Sequence, residues 1–138
     1  MNIFKIIILP VSLALSTIGC AGVKTSYMMA TTSFNYSPHY SDYMLKVNGE
    51  EIGGGFGKAI STNKIHVGKQ EIVWGETNSE NIHFSKNEIF LNKAELRNKK
   101  YLAAHIYPDD TVEIITSNNL PVPTEKGLKW LNKLKNNN

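Results

Sequence analysis

The sequence predicts a mainly β domain, an antiparallel β-sandwich or curled sheet closed by one short C-terminal α-helix. Three observations carry that prediction. Asn48-Gly49 follows an alternating run, Ser41 to Val47, and is a strong two-residue hairpin signal. Pro108-Asp109-Asp110 separates two runs rich in β-formers, Tyr101 to Tyr107 and Thr111 to Thr116, and reads as the turn of a second hairpin. Helical periodicity appears only near the end, where Leu128, Leu131 and Leu134 recur every three residues after Thr124, a good N-cap.

The first residues stand apart from this domain. Lys5 and the amino terminus form a positive head, and the thirteen residues Ile6 to Ile18 are apolar. That run is too short to span a bilayer, which takes roughly 20 residues, and Pro10 interrupts it. Thr17-Ile18-Gly19-Cys20 resembles a bacterial lipobox, with the required small residue before the chain's only cysteine. Thr17 departs from the commoner Leu. Residues 1–19 are therefore expected to be a cleaved lipoprotein signal peptide. Cys20 is the expected lipidation site, residues 20–25 a lipidated tether, and residues 26–138 a single β-rich domain. Two or three acyl chains would anchor it firmly. Ala21 is not the Asp that commonly retains such proteins in the inner membrane, so the expected location is the outer membrane, facing the periplasm.

Removing the signal leaves 119 of 138 residues and lowers the formal charge from +3 to +2. The mature chain can bury a core but has no disulfide to help it. Its basic residues are scattered until Lys126, Lys129, Lys133 and Lys135, and no nucleic-acid partner is expected.

Further elements follow in order. Tyr27 to Tyr36 is strand-like. Lys69 to Trp74 is a strand with Ile72 and Trp74 on one face. Asn81 to Phe84 and Glu88 to Leu91 are short strands split by Ser85-Lys86-Asn87, and Lys93 to Lys100 is a helical turn or polar connection. The helix spans about 124–135, with Glu125 in its first turn and Lys133 and Lys135 near its end, both suited to the helix dipole. Its Leu/Trp stripe is expected to pack on the sheet rather than lie on a membrane. Tyr43, Trp74, Phe84, Phe90 and Ile106 are the expected core anchors.

No reactive constellation emerges. Gly53-Gly54-Gly55-Phe56-Gly57-Lys58 fails the P-loop template because Ile52 and Ala59 occupy its key positions. The cluster is a flexible loop or bulge, or a loop that faces a ligand or partner. His39, His66, His83 and His105 have no metal-ligand spacing, and His83 and His105 are expected to be strand residues with one face buried or hydrogen-bonded. No Gly-x-Ser-x-Gly elbow occurs. No catalytic residue, metal or cofactor is expected. Tyr36, His39, Tyr40 and Tyr43 either fill the sheet or form an exposed patch suited to protein binding. Tyr36, His39, Tyr40, Gly54, Gly55 and Phe56 are the candidate partner-binding residues.

Several segments resemble one family. Phe34-Asn35-Tyr36-Ser37, Asp42-Tyr43 and Lys46-Val47-Asn48-Gly49 are similar to the opening of bacterial lipoproteins grouped as domain of unknown function 3304. Gly53 to Gly57 fits that family's glycine cluster, Ile72-Val73-Trp74 its central Trp strand, and His105 to Val112 its late hairpin. The resemblance covers Phe34 to Ser117, and the cysteine pair common near the family's glycines is missing. It assigns no catalytic residues. It implies an immunity protein that neutralises a type VI secretion phospholipase effector in the periplasm. The alternative is a structural or envelope-maintenance lipoprotein with no toxin partner; a small-ligand binder or enzyme using Gly53 to Gly57 is a third class.

Overall fold

The computed structural model describes residues 25–40, 43–76 and 79–138. The signal peptide, Cys20 and most of the tether lie outside the described residues. The first element is β1 (Ser26–Asn35), followed by β2 (Tyr43–Val47), β3 (Glu50–Glu51), β4 (Ser61–His66), β5 (Gly68–Gln70) and β6 (Ile72–Glu76). Then come β7 (Ile82–Phe84), β8 (Ile89–Leu91), α1 (Lys93–Leu96), β9 (Tyr101–Ile106), β10 (Val112–Ser117) and α2 (Glu125–Asn136). The fold is mainly β and sandwich-like, as the sequence predicts.

Two four-stranded sheets form the sandwich, in the orders β10-β9-β1-β4 and β3-β2-β6-β7, and β5 pairs with β8 beside them. Between the sheets, Leu45, Val47, Ile72 and Trp74 meet Ala104, Ile106 and Val112. Met29, Ile65, Leu91, Leu96 and Leu102 continue the core towards one end. The other face of the first sheet is covered by α2, whose Trp130 and Leu131 pack on Phe34, Tyr36, Ala103 and Tyr107. The first sheet is therefore a middle layer. That explains why β9 is apolar or small at nearly every position: Leu102 to Tyr107 are all buried.

Both predicted hairpins form. Asn48 and Gly49 adopt φ of 51° and 83°, the primed turn that matches strand twist. β9 and β10 pair antiparallel from Tyr101↔Ser117 to Ile106↔Val112. The predicted turn at Lys93 to Lys100 contains α1, whose N-cap Asn92 and Glu95 exchange side-chain and backbone hydrogen bonds of 2.8 Å.

Four expectations need correction. The ladders are antiparallel except β1–β9, which runs parallel from Ala30↔Tyr101 to Asn35↔Ile106. A strand the sequence reading did not identify, β4, pairs with β1 and buries only Ile65 fully. The strand read from Lys69 breaks at Glu71 into β5 and β6. Of the expected anchors, Trp74 and Ile106 are buried and Tyr43 is partly buried, but Phe84 and Phe90 are 62% and 61% exposed. In β8 the residues that face inward are Ile89 and Leu91, so Phe90 must face outward. In β7 the partly covered residue is His83, so Phe84 likewise points out.

Helix α2 begins at Thr124, whose hydroxyl accepts from the Gly127 N–H at 2.9 Å. Gly127 lies flat on the Tyr36 ring. A Cβ there would sit 2.2 Å from Tyr36 Cζ. This contact sets the helix's rotation, turning Trp130, Leu131 and Leu134 inward and leaving Leu128 45% exposed. Gly127→Ala removes an unfavourable helix glycine, a gain of about 1 kcal/mol. It also forces the helix off Tyr36, and overpacking of this kind costs about 1–3 kcal/mol or more. We expect a net loss of stability in urea unfolding; a variant as stable as the parent would contradict this helix seat.

Candidate functional site

Strand β4 pairs no further than Thr31, so among the described residues the last third of β1 has no strand along that edge. The glycine-rich segment takes its place. Ser33 Oγ donates to the Gly53 carbonyl at 2.7 Å, the Gly57 N–H donates to the Ser33 carbonyl at 3.1 Å, and Thr32 Oγ1 donates to the Ala59 carbonyl at 2.8 Å. The loop is thereby fixed, because the buried hydroxyls of β1 need these carbonyls as partners. Gly57 is required by proximity as well as by its φ of 83°. A Cβ there would lie 2.5 Å from the Phe34 ring.

Gly55, Phe56 and Gly57 are all left-handed, with φ of 64°, 56° and 83°. Phe56 is a bulky residue in that region, a conformation that costs of order 1–3 kcal/mol and persists only where the surroundings impose it. Here the surroundings are aromatic edges. Phe56 meets Phe34 and Tyr36 edge-on, with centroids 5.1 and 5.5 Å away, while 38% of its surface stays exposed.

Beside Phe56 opens a cleft of about 440 Å³, lined by Asn35, Ser37, Pro38, Tyr40, Tyr43, Gly55 and Phe56. Its far wall is a turn held by Asn35, whose Oδ1 accepts from the Ser37 N–H at 2.9 Å and whose amide donates to the Tyr40 carbonyl. At the back, the Tyr43 hydroxyl donates to Ser33 Oγ at 2.9 Å, since Ser33's own proton goes to Gly53. Burial raises the Tyr43 phenol pKa, so it remains a neutral donor and acceptor. None of the described lining residues carries a charge. The cleft can recognise an apolar or aromatic group by shape and a few neutral hydrogen bonds.

The candidate residues divide around this cleft. Tyr40, Gly55 and Phe56 line it, and Gly54 sits behind it, near Ser33 and Tyr43. His39 is exposed and is not among the lining residues, its ring 6.4 Å from that of Tyr40. An exposed tyrosine patch is not what forms. Tyr36 is 1% and Tyr40 7% exposed, because their rings complete the two cores on either side of the first sheet. Asn35, Ser37 and Pro38 were not singled out as site residues. Their sequence signal is an Asn two residues before a Ser-Pro, a pattern that favours a side-chain-capped turn.

Behind the cleft lies a buried polar chain. Phe34, His105, Tyr36 and Tyr107 stack nearly parallel, with successive centroids 4.9, 5.9 and 5.4 Å apart, and Lys126 Nζ lies 4.3 Å above the Tyr107 ring. The Tyr36 hydroxyl accepts from the Thr124 N–H at 2.9 Å, so it donates its proton to His105 Nδ1, also at 2.9 Å. His105 is thus held neutral, and burial pushes its pKa down to about 4. Tyr107 completes the chain with bonds to Thr124 Oγ1 and Glu113, and burial pushes its phenol up to about 12. The expected hydrogen-bonded roles of His105 and His83 both hold. His83 Nδ1 lies 3.3 Å from the Tyr40 hydroxyl, which donates to Asp110 at 3.0 Å.

A second depression, about 460 Å³, runs along α2 among Lys126, Lys129, Lys133 and the exposed part of the Trp130 ring. It is a solvated helix face, crossed by the Lys129–Glu125 ion pair at 3.1 Å. Among the described residues, no group of three His, Cys, Asp or Glu could hold a metal ion. No helix of these residues is long and apolar enough to cross a membrane. No family model, curated protein or solved structure matches the chain.

Because the folded state depresses the His105 pKa, the unfolded chain takes up the proton first. Stability is fully present above pH 6.5 and is lost as pH falls towards 4, by up to about 3 kcal/mol. Tyr36→Phe strands the Thr124 N–H and His105 Nδ1, at about 1–3 kcal/mol for such buried groups. Urea unfolding from pH 7.5 to 4.5 should show the acid loss in the parent and a much flatter profile in His105→Phe.

Proposed function

We propose that this chain is a lipoprotein anchored through Cys20 in the outer membrane, facing the periplasm, and that it works by binding a protein partner. The partner is a type VI secretion phospholipase effector, which the chain neutralises as an immunity protein. The anchor reading is supported by the lipobox-like Thr17-Ile18-Gly19-Cys20. The partner reading is supported by the resemblance between Phe34 and Ser117.

The observation that carries the binding role is Phe56. A half-exposed aromatic, fixed in a left-handed conformation at the mouth of a cleft, is a prearranged contact. Binding through it needs little ordering of the loop, which is already tied to Ser33 and Thr32. Preorganisation of this kind improves affinity by lowering the entropy cost of association. A buried aromatic beside a pocket is also the usual centre of a protein interface. Tethering would add to this by raising the effective concentration at the surface under attack.

The test is to express a phospholipase effector in the periplasm with and without this protein, scoring survival and complex formation. Phe56→Asn keeps a residue that tolerates positive φ and removes the ring. It should weaken the complex at least roughly 30-fold, the scale of an interface hot spot. Absence of rescue and of any complex, or full protection by Phe56→Asn, would overturn the proposal. Separately, Cys20→Ala should move the protein from the membrane to the soluble fraction without altering its urea unfolding. Continued membrane association would refute the lipid anchor.

A further inference from the structure

The second sheet ends in an open edge. β7 is its last strand, paired on one side with β6 from Val73↔Phe84 to Gly75↔Ile82. The Ser85 N–H donates to the Ile72 carbonyl at 3.1 Å, so the backbone groups of Ser85 and His83 point towards β6. By alternation, the N–H and C=O groups of Ile82 and Phe84 point outward, where no strand of the described residues pairs with them. Unpaired backbone beside exposed apolar side chains is a template for another strand.

The side chains make that edge adhesive. On the outer face of the sheet, Met44, Gly75 and Ile82 form one cross-strand row, and Lys46, Val73 and Phe84 the next. Met44 is 42% exposed, and Ile82 and Phe84 are each 62% exposed. Gly75 leaves a depression of about 210 Å³ between them.

The sequence around β7 is complementary to itself. In an antiparallel pairing of two copies about a two-fold axis at His83, Ile82 faces the partner's Phe84. Both are outward-pointing residues, so each such pair exchanges two backbone hydrogen bonds, four in all. Beyond the strand ends, where the Lys86 N–H is itself taken by the Asp110 carbonyl at 3.0 Å, the Glu80 side chain then comes level with that of the partner's Lys86, twice. Both residues are exposed, and neither has an ion pair among the described residues. The register is selective. Moving the axis to Ile82 sets Glu80 against Phe84, and moving it to Phe84 sets Glu80 against Glu88.

We propose that two copies of this chain associate through their β7 strands, in the register that pairs Glu80 with Lys86, to form one continuous eight-stranded sheet. The two apolar outer faces then join, each Phe84 lying between Val73 of its own copy and Ile82 of the other. The occupant is a second copy rather than a foreign peptide because the charge pattern and the apolar pair both satisfy themselves. None of the residues of this interface lines the Phe56 cleft, so it stands or falls independently of the partner proposed above.

Sedimentation equilibrium of the full chain in density-matched detergent tests the proposal. The parent should reach twice its monomer mass. Glu80→Lys and Lys86→Glu, each placing like charges opposite one another at two positions, should each weaken dimerisation roughly tenfold. The combined swap restores opposite charges and should return the affinity to the parent's. Ile82→Lys, on an exposed position, should leave a monomer. A parent that stays monomeric at all concentrations would overturn the proposal. So would a dimer indifferent to the single reversals, or single defects that the combined swap does not repair.

Discussion

The structure depends on where the Tyr36 hydroxyl goes. It stands at the end of β1, accepts the first free N–H of helix α2 from Thr124, and passes its own proton to His105 on the neighbouring strand. One phenol therefore fixes the helix start, the imidazole tautomer and the stacking of four rings. Its ring also decides how the helix rolls, because only glycine at position 127 allows that approach. Burial of a histidine and three tyrosine or phenylalanine rings is tolerable because His105 Nδ1 and both tyrosine hydroxyls find partners.

The same arrangement explains the cleft. Phe34 and Tyr36 present their edges to Phe56, so the core itself holds the exposed ring in place. The loop's backbone is held from the other side by the hydroxyls of Thr32 and Ser33. These residues look out of place in a buried strand until their acceptors are seen. Polar residues in β1 thus serve the loop, and the loop in turn satisfies β1.

Much of this was legible in the sequence where local chemistry decides the outcome. Asn48-Gly49 fixed one hairpin, Pro108-Asp109-Asp110 another, and Thr124 the helix start. What escaped depends on parity and on distant partners. Phe84 and Phe90 sit in three-residue strands where almost every residue is apolar, so alternation could not say which side faced in. β4 reads Ser-Thr-Asn-Lys-Ile-His, with one buried hydrophobe, and is a strand because β1 offers it an edge. The parallel β1–β9 pairing has no local signature at all. For the site, the glycine cluster and Phe56 were visible as an unusual loop, but the burial of Tyr36 and Tyr40 was not, since a tyrosine-rich stretch reads alike on a surface and in a core.

The parallel pairing of β1 with β9 also governs when this protein can become a protein. β1 is the first strand among the described residues and occupies an inner position in its sheet, yet one of its two neighbours arrives some seventy residues later, and the helix that covers it later still. A chain emerging from its N-terminus must carry that strand half-paired until nearly all of it is available, and closing so long a loop makes folding slow. Polar residues at Thr31, Thr32 and Ser33 make the waiting strand less adhesive than an all-aliphatic one. A sequence that cannot finish folding early is one that stays threadable, which is the condition a polypeptide must meet to pass through a narrow channel before it takes shape.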